Sequence, residues 1–419
     1  MSLGEQRDFR LFWTAETVSG FGSYVTTLAI QVLVVVTLHE SAAGVGLVNA
    51  ARFLPYLVLG LVVGVLVDRV RRRPILVATD LGRGLLLVAI PLLAMADQLT
   101  LALLVVFMVA FGTLSLLNDS ASQSFVPRLV PRPLLTRANA RLDQSDAVAQ
   151  TSGPALAGGL VALLSAPWAV LVDAASFLAS ALLVARTRVA EPPSRSVDLR
   201  SMRQVPTELR EGLRWVYRHR TLTPFAIGTH IWFLFNAMAG AALPVFALRQ
   251  LDLGALGFGL LLALAGVGAV VGSSYAERLG NAFGAGRVSI ACIVGNAVAW
   301  ALVASSPGDS VLTWAVFGAG QLLLGVSMGA ENANTMGYRQ SVTPDELQGR
   351  MNTTMRSINR AMVVVGAPLG GLLADSVGLR PVLYVAAAGF LLVAAGLALT
   401  PFRDARIPQE TSVANPNDE

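Results

Sequence analysis

At 419 residues, 54% of them hydrophobic and only 14% charged, the chain carries too little polar surface to cover itself in water, since soluble domains hold about 25% charged residues. A mean hydropathy of +0.63 agrees. The net charge of +5 does not signal nucleic acid, because the arginines stand between apolar runs and form no continuous basic stripe.

Twelve apolar segments follow in order, each near the ~20 residues a helix needs to cross a bilayer. The first, 11–38, contains Glu16 and is too long for a removable signal peptide. The second and third, 44–67 and 75–95, flank "GVLVDRVRRRPIL", which sets Asp68 among Arg69, Arg71, Arg72 and Arg73. The fourth, 99–119, ends on Asn118 and Asp119; the fifth, 138–164, follows Arg137; the sixth is 167–186. A polar stretch then closes with "PTELREGLRWVYRHRTL", where Leu209, Leu213 and Val216 share one helical face opposite arginines. That pattern fits a helix lying on an anionic lipid leaflet, or an ordinary solvated linker helix. The seventh segment, 223–249, carries His230, Trp232 and Asn236; the eighth and ninth are 255–277 and 287–305. The tenth, 311–336, holds Glu331, Asn332 and Asn334; the eleventh, 351–375, follows Arg350; the twelfth is 380–401. "TSGPALAGG" and "VVGAPLGG" place Gly and Pro inside spans, where small residues permit close helix packing.

Chemistry is constrained by absences. No lysine occurs, so a G-x-x-x-x-G-K phosphate loop cannot form. Lone Cys292 excludes an internal disulfide and a multi-cysteine zinc site, and His39, His219 and His230 are far apart. No enzyme, metal or cofactor is expected. Arginine is concentrated in alternate connections, which places both termini in the cytoplasm of a multi-pass inner-membrane protein.

A shift of 213 positions superposes spans 4 to 6 on spans 10 to 12. Pro131 meets Pro344, Arg137 meets Arg350, Asn139 meets Asn352, Gly153 meets Gly366 and Gly158 meets Gly371. The match is looser across the first three spans of each half. The expected fold is all-α, twelve transmembrane helices in two pseudo-symmetric six-helix bundles, the plan of a rocking transporter. The divisions are 1–186, a linker 187–222, 223–402, and a disordered tail 403–419.

"GVLVDRVRRRP" resembles the signature between spans 2 and 3 of the major facilitator superfamily, with Arg71 where the general pattern has Gly. "NDSASQSFVPRLVPRPLLTRANA" and "RQSVTPDELQGRMNTTMR" narrow the likeness to proton-driven efflux proteins that include macrolide and enterobactin exporters. Span 4 lacks the arginine motif that other drug antiporter branches use for proton relay. The resemblance implies that spans 1, 4, 7 and 10 line a central cavity. It also implies that the Asp68 hairpin, with Arg69 and Arg72, packs on the start of span 11 when that side closes.

Ionisable groups inside a bilayer default to functional hypotheses. Glu16, Asp119 and Glu331 are therefore candidates for proton coupling, and the repeat makes Asn118–Asp119 equivalent to Glu331–Asn332. Asn118, His230, Trp232, Asn236, Asn332 and Asn334 are candidates for cargo contact. Asp68, Arg69, Arg72, Arg137 and Arg350 are candidates for a cytoplasmic gate, the last two on loops before spans 5 and 11. Bland readings stand beside these: Asp119 as a solvated helix end, His230 and Asp173 as packing residues, and Arg52, Arg83 and Arg141 paired with Asp80, Asp143 or Asp146. The expected activity is export of small amphiphilic molecules by a lipid-embedded monomer driven by inward proton flow. The alternatives are a siderophore exporter and an uptake permease.

Overall fold

The computed structural model describes residues 3–67, 70–189, 191, 199–308 and 311–407. Its helices are α1 (Arg7–Val32), α2 (Ala42–Val67), α3 (Arg72–Met95), α4 (Leu101–Leu129), α5 (Leu135–Leu164), α6 (Ala166–Ala185), α7 (Leu199–Arg218), α8 (Leu222–Val245), α9 (Gly254–Phe283), α10 (Ala285–Ser305), α11 (Val311–Val342), α12 (Asp345–Val377) and α13 (Leu379–Ala398). All but α7 lie in spans long and apolar enough to cross a membrane, twelve in number among the described residues. In lipid every backbone amide needs an internal partner, so apolar runs of this length fold as helices.

The shift of 213 positions also holds at the end of the first span of each bundle, where the sequence match is loose. α1 and α8 end in π-helical turns at equivalent positions, Leu33–Thr37 and Phe246–Gln250. His39 and Asp252, the equivalents that follow, both adopt left-handed backbone (φ 54° and 49°), as do Ser165 and Gly378 (φ 67° and 101°). The repeat thus persists in backbone geometry after side chains have diverged.

Helices α1–α6 pack together, α1 against α5 and α6, α3 against α4 and α6. Helices α8–α13 do the same, α11 between α9 and α10, with α8 against α12 and α13. The bundles meet through α2 with α12 and α5 with α9. Close approach requires glycine: a Cβ on Gly46 would stand 2.2 Å from the Ala367 carbonyl, and one on Gly259 2.3 Å from the Pro154 carbonyl. These seams lie in the half of each helix remote from α7. There Asp375 of α12 accepts from Ser41 Oγ (2.6 Å) and from the amides of Ala42 (3.1 Å) and Ala43 (3.2 Å), capping the start of α2. Arg249 reciprocally donates to the Val35 carbonyl at the end of α1, 2.5 Å away. Both caps suit the polarity of a helix dipole. The face remote from α7 is sealed, whereas on the α7 side the first half of α5 stands exposed, Asp143 and Asp146 included.

Several expected boundaries shift. α4 runs ten residues beyond 119, α11 six beyond 336, α5 starts at Leu135 and α12 at Asp345. Polar runs such as "SASQSFVP" remain helical because one side of α4 faces a cavity and tolerates polarity. Arg137 and Arg350 consequently sit in helical turns and not on loops. The linker helix α7 also differs from expectation. Val216 is fully buried against the C-terminal bundle, Trp215 Nε1 donates to Thr343 Oγ1 (3.3 Å), and Glu211 pairs with Arg350. Its apolar face is therefore covered by protein and not lipid, though the Leu209 side chain lies outside the described residues. His219 caps the start of α8, its Nδ1 accepting from the amides of Thr221 (3.4 Å) and Leu222 (3.3 Å). Burial holds that imidazole below the usual histidine range, which suits an acceptor nitrogen. At the boundary between the expected bundle and the tail, Pro401–Asp404 forms a 3-10 turn that buries Phe402 against Phe225 and Tyr338; residues 408–419 lie outside the described residues.

Candidate functional site

Two chambers open between the bundles, one walled mainly by each. The N-terminal chamber, about 520 Å³, is lined by Glu16, Tyr24, Arg52, Asp119, Asp143 and Asp146, among others. The C-terminal chamber, about 620 Å³, is lined by Tyr24, Trp232, Phe233, Met328, Glu331 and Asn332, among others. Tyr24 belongs to both, so the chambers adjoin at its ring.

Glu16 lies nine residues into α1. It hydrogen-bonds to Ser122 and sits within the fields of Asp80, Arg83 and Asp119. Asp119 is not a solvated helix end, because α4 continues for ten residues; it projects into the chamber and accepts from Tyr56 Oη at 2.8 Å. Tyr56 in turn carries Arg360 of α12 over its ring face, 3.8 Å from the centroid. A cation from one bundle thus rests on the phenol that holds a carboxylate of the other. Neither Tyr56 nor Arg360 was a candidate from sequence, although an arginine in mid-span ("SINRAMVV") is itself a signal.

Asn118 is buried and turned inward, donating to Thr79 Oγ1 (2.8 Å) and Asp80 Oδ1 (3.1 Å). Asp80 also pairs with Arg83 and accepts from Ser180 (2.7 Å), while Arg83 stacks on Phe177 at 4.2 Å. The expected packing pair is present there. Arg52 instead donates to Thr27 (2.9 Å), and Arg141 covers the Trp13 ring. Asp173 is fully buried and accepts from Ser176 at 2.8 Å, a packing residue.

In the C-terminal chamber Glu331 accepts from Ser289 Oγ at 3.1 Å, and exposed Asn332 lines the wall. Trp232 is in place, set edge-on to Phe233. Three expected cargo contacts are not. Asn334 is buried in the α9–α11 seam, donating to the carbonyls of Ala276 and Ala330 (2.9 Å each). His230 is 7% exposed and held on both ring nitrogens, by Tyr217 of α7 (2.7 Å) and Asn359 of α12 (2.6 Å). Asn236 is half-buried and lines neither chamber. A sequence assigns such residues to a helix but not to one side of it until the neighbours are known.

Of the expected gate, Asp68 and Arg69 lie outside the described residues. The amides of Arg72 (2.5 Å) and Arg73 (2.9 Å) are capped by Glu191 at the start of the linker, not by span 11. Arg350 pairs with Glu211 of α7, and Arg137 is exposed.

A family described as transmembrane secretion effectors matches residues 4–417. The chain belongs to that family of the major facilitator superfamily. Among the relatives, an uncharacterised MFS-type transporter of Bacillus subtilis, YfiS, is 25% identical over 408 residues, covering 94% of this chain and 92% of that one. The multidrug efflux pump Tap of Mycolicibacterium fortuitum is 25% identical over 374 residues, covering 87% and 89%. Macrolide efflux protein A of Streptococcus pyogenes is 26% identical over 238 residues, covering 54% and 56%. In fold, the chain is similar to a bacterial homologue of the iron transporter ferroportin in an inward-facing state (TM-score 0.73, 17% identity, 95% and 98% covered). It is likewise similar to the nucleoside transporter NupG (TM-score 0.69, 13% identity, 94% and 98% covered).

Proposed function

We propose that this protein exports small amphiphilic molecules across the plasma membrane in exchange for protons, by alternating access. The observation that carries the reading is the pair of adjoining chambers, each holding one carboxylate of the equivalent pairs Asn118–Asp119 and Glu331–Asn332, beneath a sealed face. The names of the efflux relatives favour export. The face carrying α7 is taken as cytoplasmic, since Arg132, Arg137, Arg339 and Arg350 cluster toward it. The two arginines of the opposite face cap carbonyls, Arg249 that of Val35 and Arg380 those of Ala304 (3.1 Å) and Ser306 (2.6 Å).

A carboxylate removed from water favours its neutral form unless a cation or cargo compensates it. Ionised Glu331, Glu16 or Asp119 would hold the polar end of a cargo molecule, with Trp232, Phe233 and Met328 receiving the apolar part. A proton arriving from the outer side removes that charge, releases the cargo and lowers the cost of closing the chambers. The bundles then rock back.

Everted membrane vesicles test this. With the interior acidified, the wild type accumulates ethidium or erythromycin, and Glu331→Gln abolishes accumulation without loss of folded protein. Accumulation indifferent to Glu331→Gln and to collapse of the pH gradient overturns the coupling. An uptake permease empties the vesicles under the same gradient. A siderophore exporter concentrates enterobactin and neither probe.

A further inference from the structure

The interior of the C-terminal bundle holds polar atoms that the protein leaves without partners. Asn296 is 0% exposed, yet neither Oδ1 nor Nδ2 has a hydrogen-bond partner among the described residues. Trp300 Nε1 and Gln321 Nε2 are in the same position, in residues 3% and 1% exposed. Buried polar groups in native proteins are satisfied by protein or by internal water.

These atoms are not scattered. Ser289, Asn296 and Trp300 stand at i, i+7 and i+11 of α10 and share one stripe facing the bundle interior. Ser289 starts the stripe at Glu331, and Trp300 lies about 16 Å further toward the sealed face at 1.5 Å per residue. Ser327, one turn from Glu331 on α11, has its hydroxyl against Gly295, where a Cβ would stand 2.3 Å from it. Gln321, ten residues from Glu331 along α11, lies at about the depth of Trp300, since a Cβ on neighbouring Gly320 would stand 2.8 Å from the Ala299 carbonyl. Beyond Trp300 the last turn of α10 is apolar, with Val303 and Ala304 buried. In the other bundle the equivalents of Ser289, Trp300 and Gln321 are Leu76, Leu87 and Met108, so the feature is not a consequence of the fold.

We propose that the C-terminal bundle encloses a file of water that runs from Glu331 past Asn296 and Gln321 to Trp300, and that this file delivers the proton to Glu331. The delivery half rests on the proton-coupled reading above; the water site stands without it. Each polar group has a role in holding water: Trp300 Nε1, Asn296 Nδ2 and Gln321 Nε2 donate to water oxygens, and Asn296 Oδ1 accepts. A proton entering from the outer solution hops along the file, each oxygen accepting one proton and passing on another. The Glu331 carboxylate ends the chain by binding it, so no other reactant is needed. Because the file is separate from the cargo chamber, the proton reaches Glu331 while cargo occupies that chamber. The apolar last turn of α10 closes the outer end in the present state.

Radiolytic hydroxyl-radical footprinting on the full chain in lipid nanodiscs decides the water site, since radicals formed from internal water mark side chains that bulk solvent does not reach. Trp300 should be oxidised in the wild type, and in Asn296→Leu its oxidation should fall about tenfold while that of cavity-lining Trp232 holds. Gln321→Leu, tested alongside, should lower the Trp300 mark in the same direction even if Asn296→Leu folds poorly. A Trp300 left unmarked in the wild type, or a mark indifferent to both substitutions, overturns the file. Delivery is read in everted vesicles with ethidium as probe. Asn296→Leu should slow uptake driven by interior acid about tenfold and leave ethidium counterflow, which needs no net proton movement, near wild type. Equal loss of both activities overturns the proton role and leaves the water result intact. Failure of the coupling itself is read separately, from Glu331→Gln.

Discussion

Arg83 of the N-terminal bundle and Asn296 of the C-terminal bundle are equivalent under the repeat, and they fill the same place in opposite ways. Arg83 is ion-paired to Asp80, stacked on Phe177, and joined through Asp80 to Asn118 and Ser180. Where Asp80 stands in one bundle the other has Ile293, and Asn296 is left unpartnered by protein. At this position one core is locked by a charged network; the other holds a neutral amide without a protein partner among the described residues. Two copies of one backbone plan thus fill the same place with opposite chemistry, and stability and transport should respond differently to change in each.

The largest effect is expected where a buried charge loses its partner. Arg83→Leu leaves Asp80 uncompensated at 2% exposure and should destabilise the protein by about 3–5 kcal/mol. That would be read as a sharp fall in melting temperature and in yield of monodisperse protein. The double change Asp80→Leu with Arg83→Leu should recover most of the loss, because an apolar pair of similar volume often replaces a buried ion pair without cost. If the single change is tolerated, the description of this core as locked is wrong.

Next in size are contacts that exist in one conformation only. Asp375→Asn removes the charge that caps α2 across the sealed face. A carboxylate there is worth about 0.3–2 kcal/mol, so loss of ~1.4 kcal/mol shifts the ratio of states about tenfold. Spin labels at the ends of α2 and α12 should show a new long-distance population with little change in melting temperature. An unchanged distance distribution would make Asp375 an ordinary cap.

A smaller shift is expected at the middle of the membrane. Arg360→Gln removes the cation over Tyr56, an interaction worth about 0.5–2 kcal/mol, and uncouples α12 from the carboxylate Tyr56 holds. The pH dependence of transport should move, and Tyr56→Phe, which frees Asp119 but keeps the ring, should move it too. A pH profile unaltered in both would dismiss the contact as packing.

These sites mark the limit of what the sequence discloses. The twelve spans were legible because a bilayer demands long apolar runs, and the two-bundle plan because ordered Gly, Pro and Arg matches survive in the later spans. Helix ends were not, since cavity-facing polar turns at 120–129 and 345–350 look like loops until something covers their other side. Glu16, Asp119 and Glu331 were legible as costly charges, whereas the turning of Asn334 and His230 away from the chambers was not, because their faces are decided by α9, α7 and α12. Arg83 with Asp80 was readable as an i, i+3 pair. Asn296 and Gln321, uncharged and isolated among leucines and alanines, gave no local signal at all.

The smallest expected effect on stability belongs to Asn296→Leu, and there the contrast between the bundles is sharpest. Leaving a buried donor and acceptor without partners costs desolvation, so replacing them by an apolar group of similar volume is near neutral or stabilising. Internal water recovers part of that cost for Asn296 but must itself be ordered. The melting temperature should therefore stay level or rise, the reverse of Arg83→Leu at the equivalent position. A fall of the size seen for Arg83→Leu would mean that Asn296 holds the bundle together through protein contacts, and the two cores would then differ in chemistry but not in role. A level or raised melting temperature together with slowed acid-driven transport would identify Asn296 as a residue kept at the expense of packing, the pattern expected where function sets the side chain.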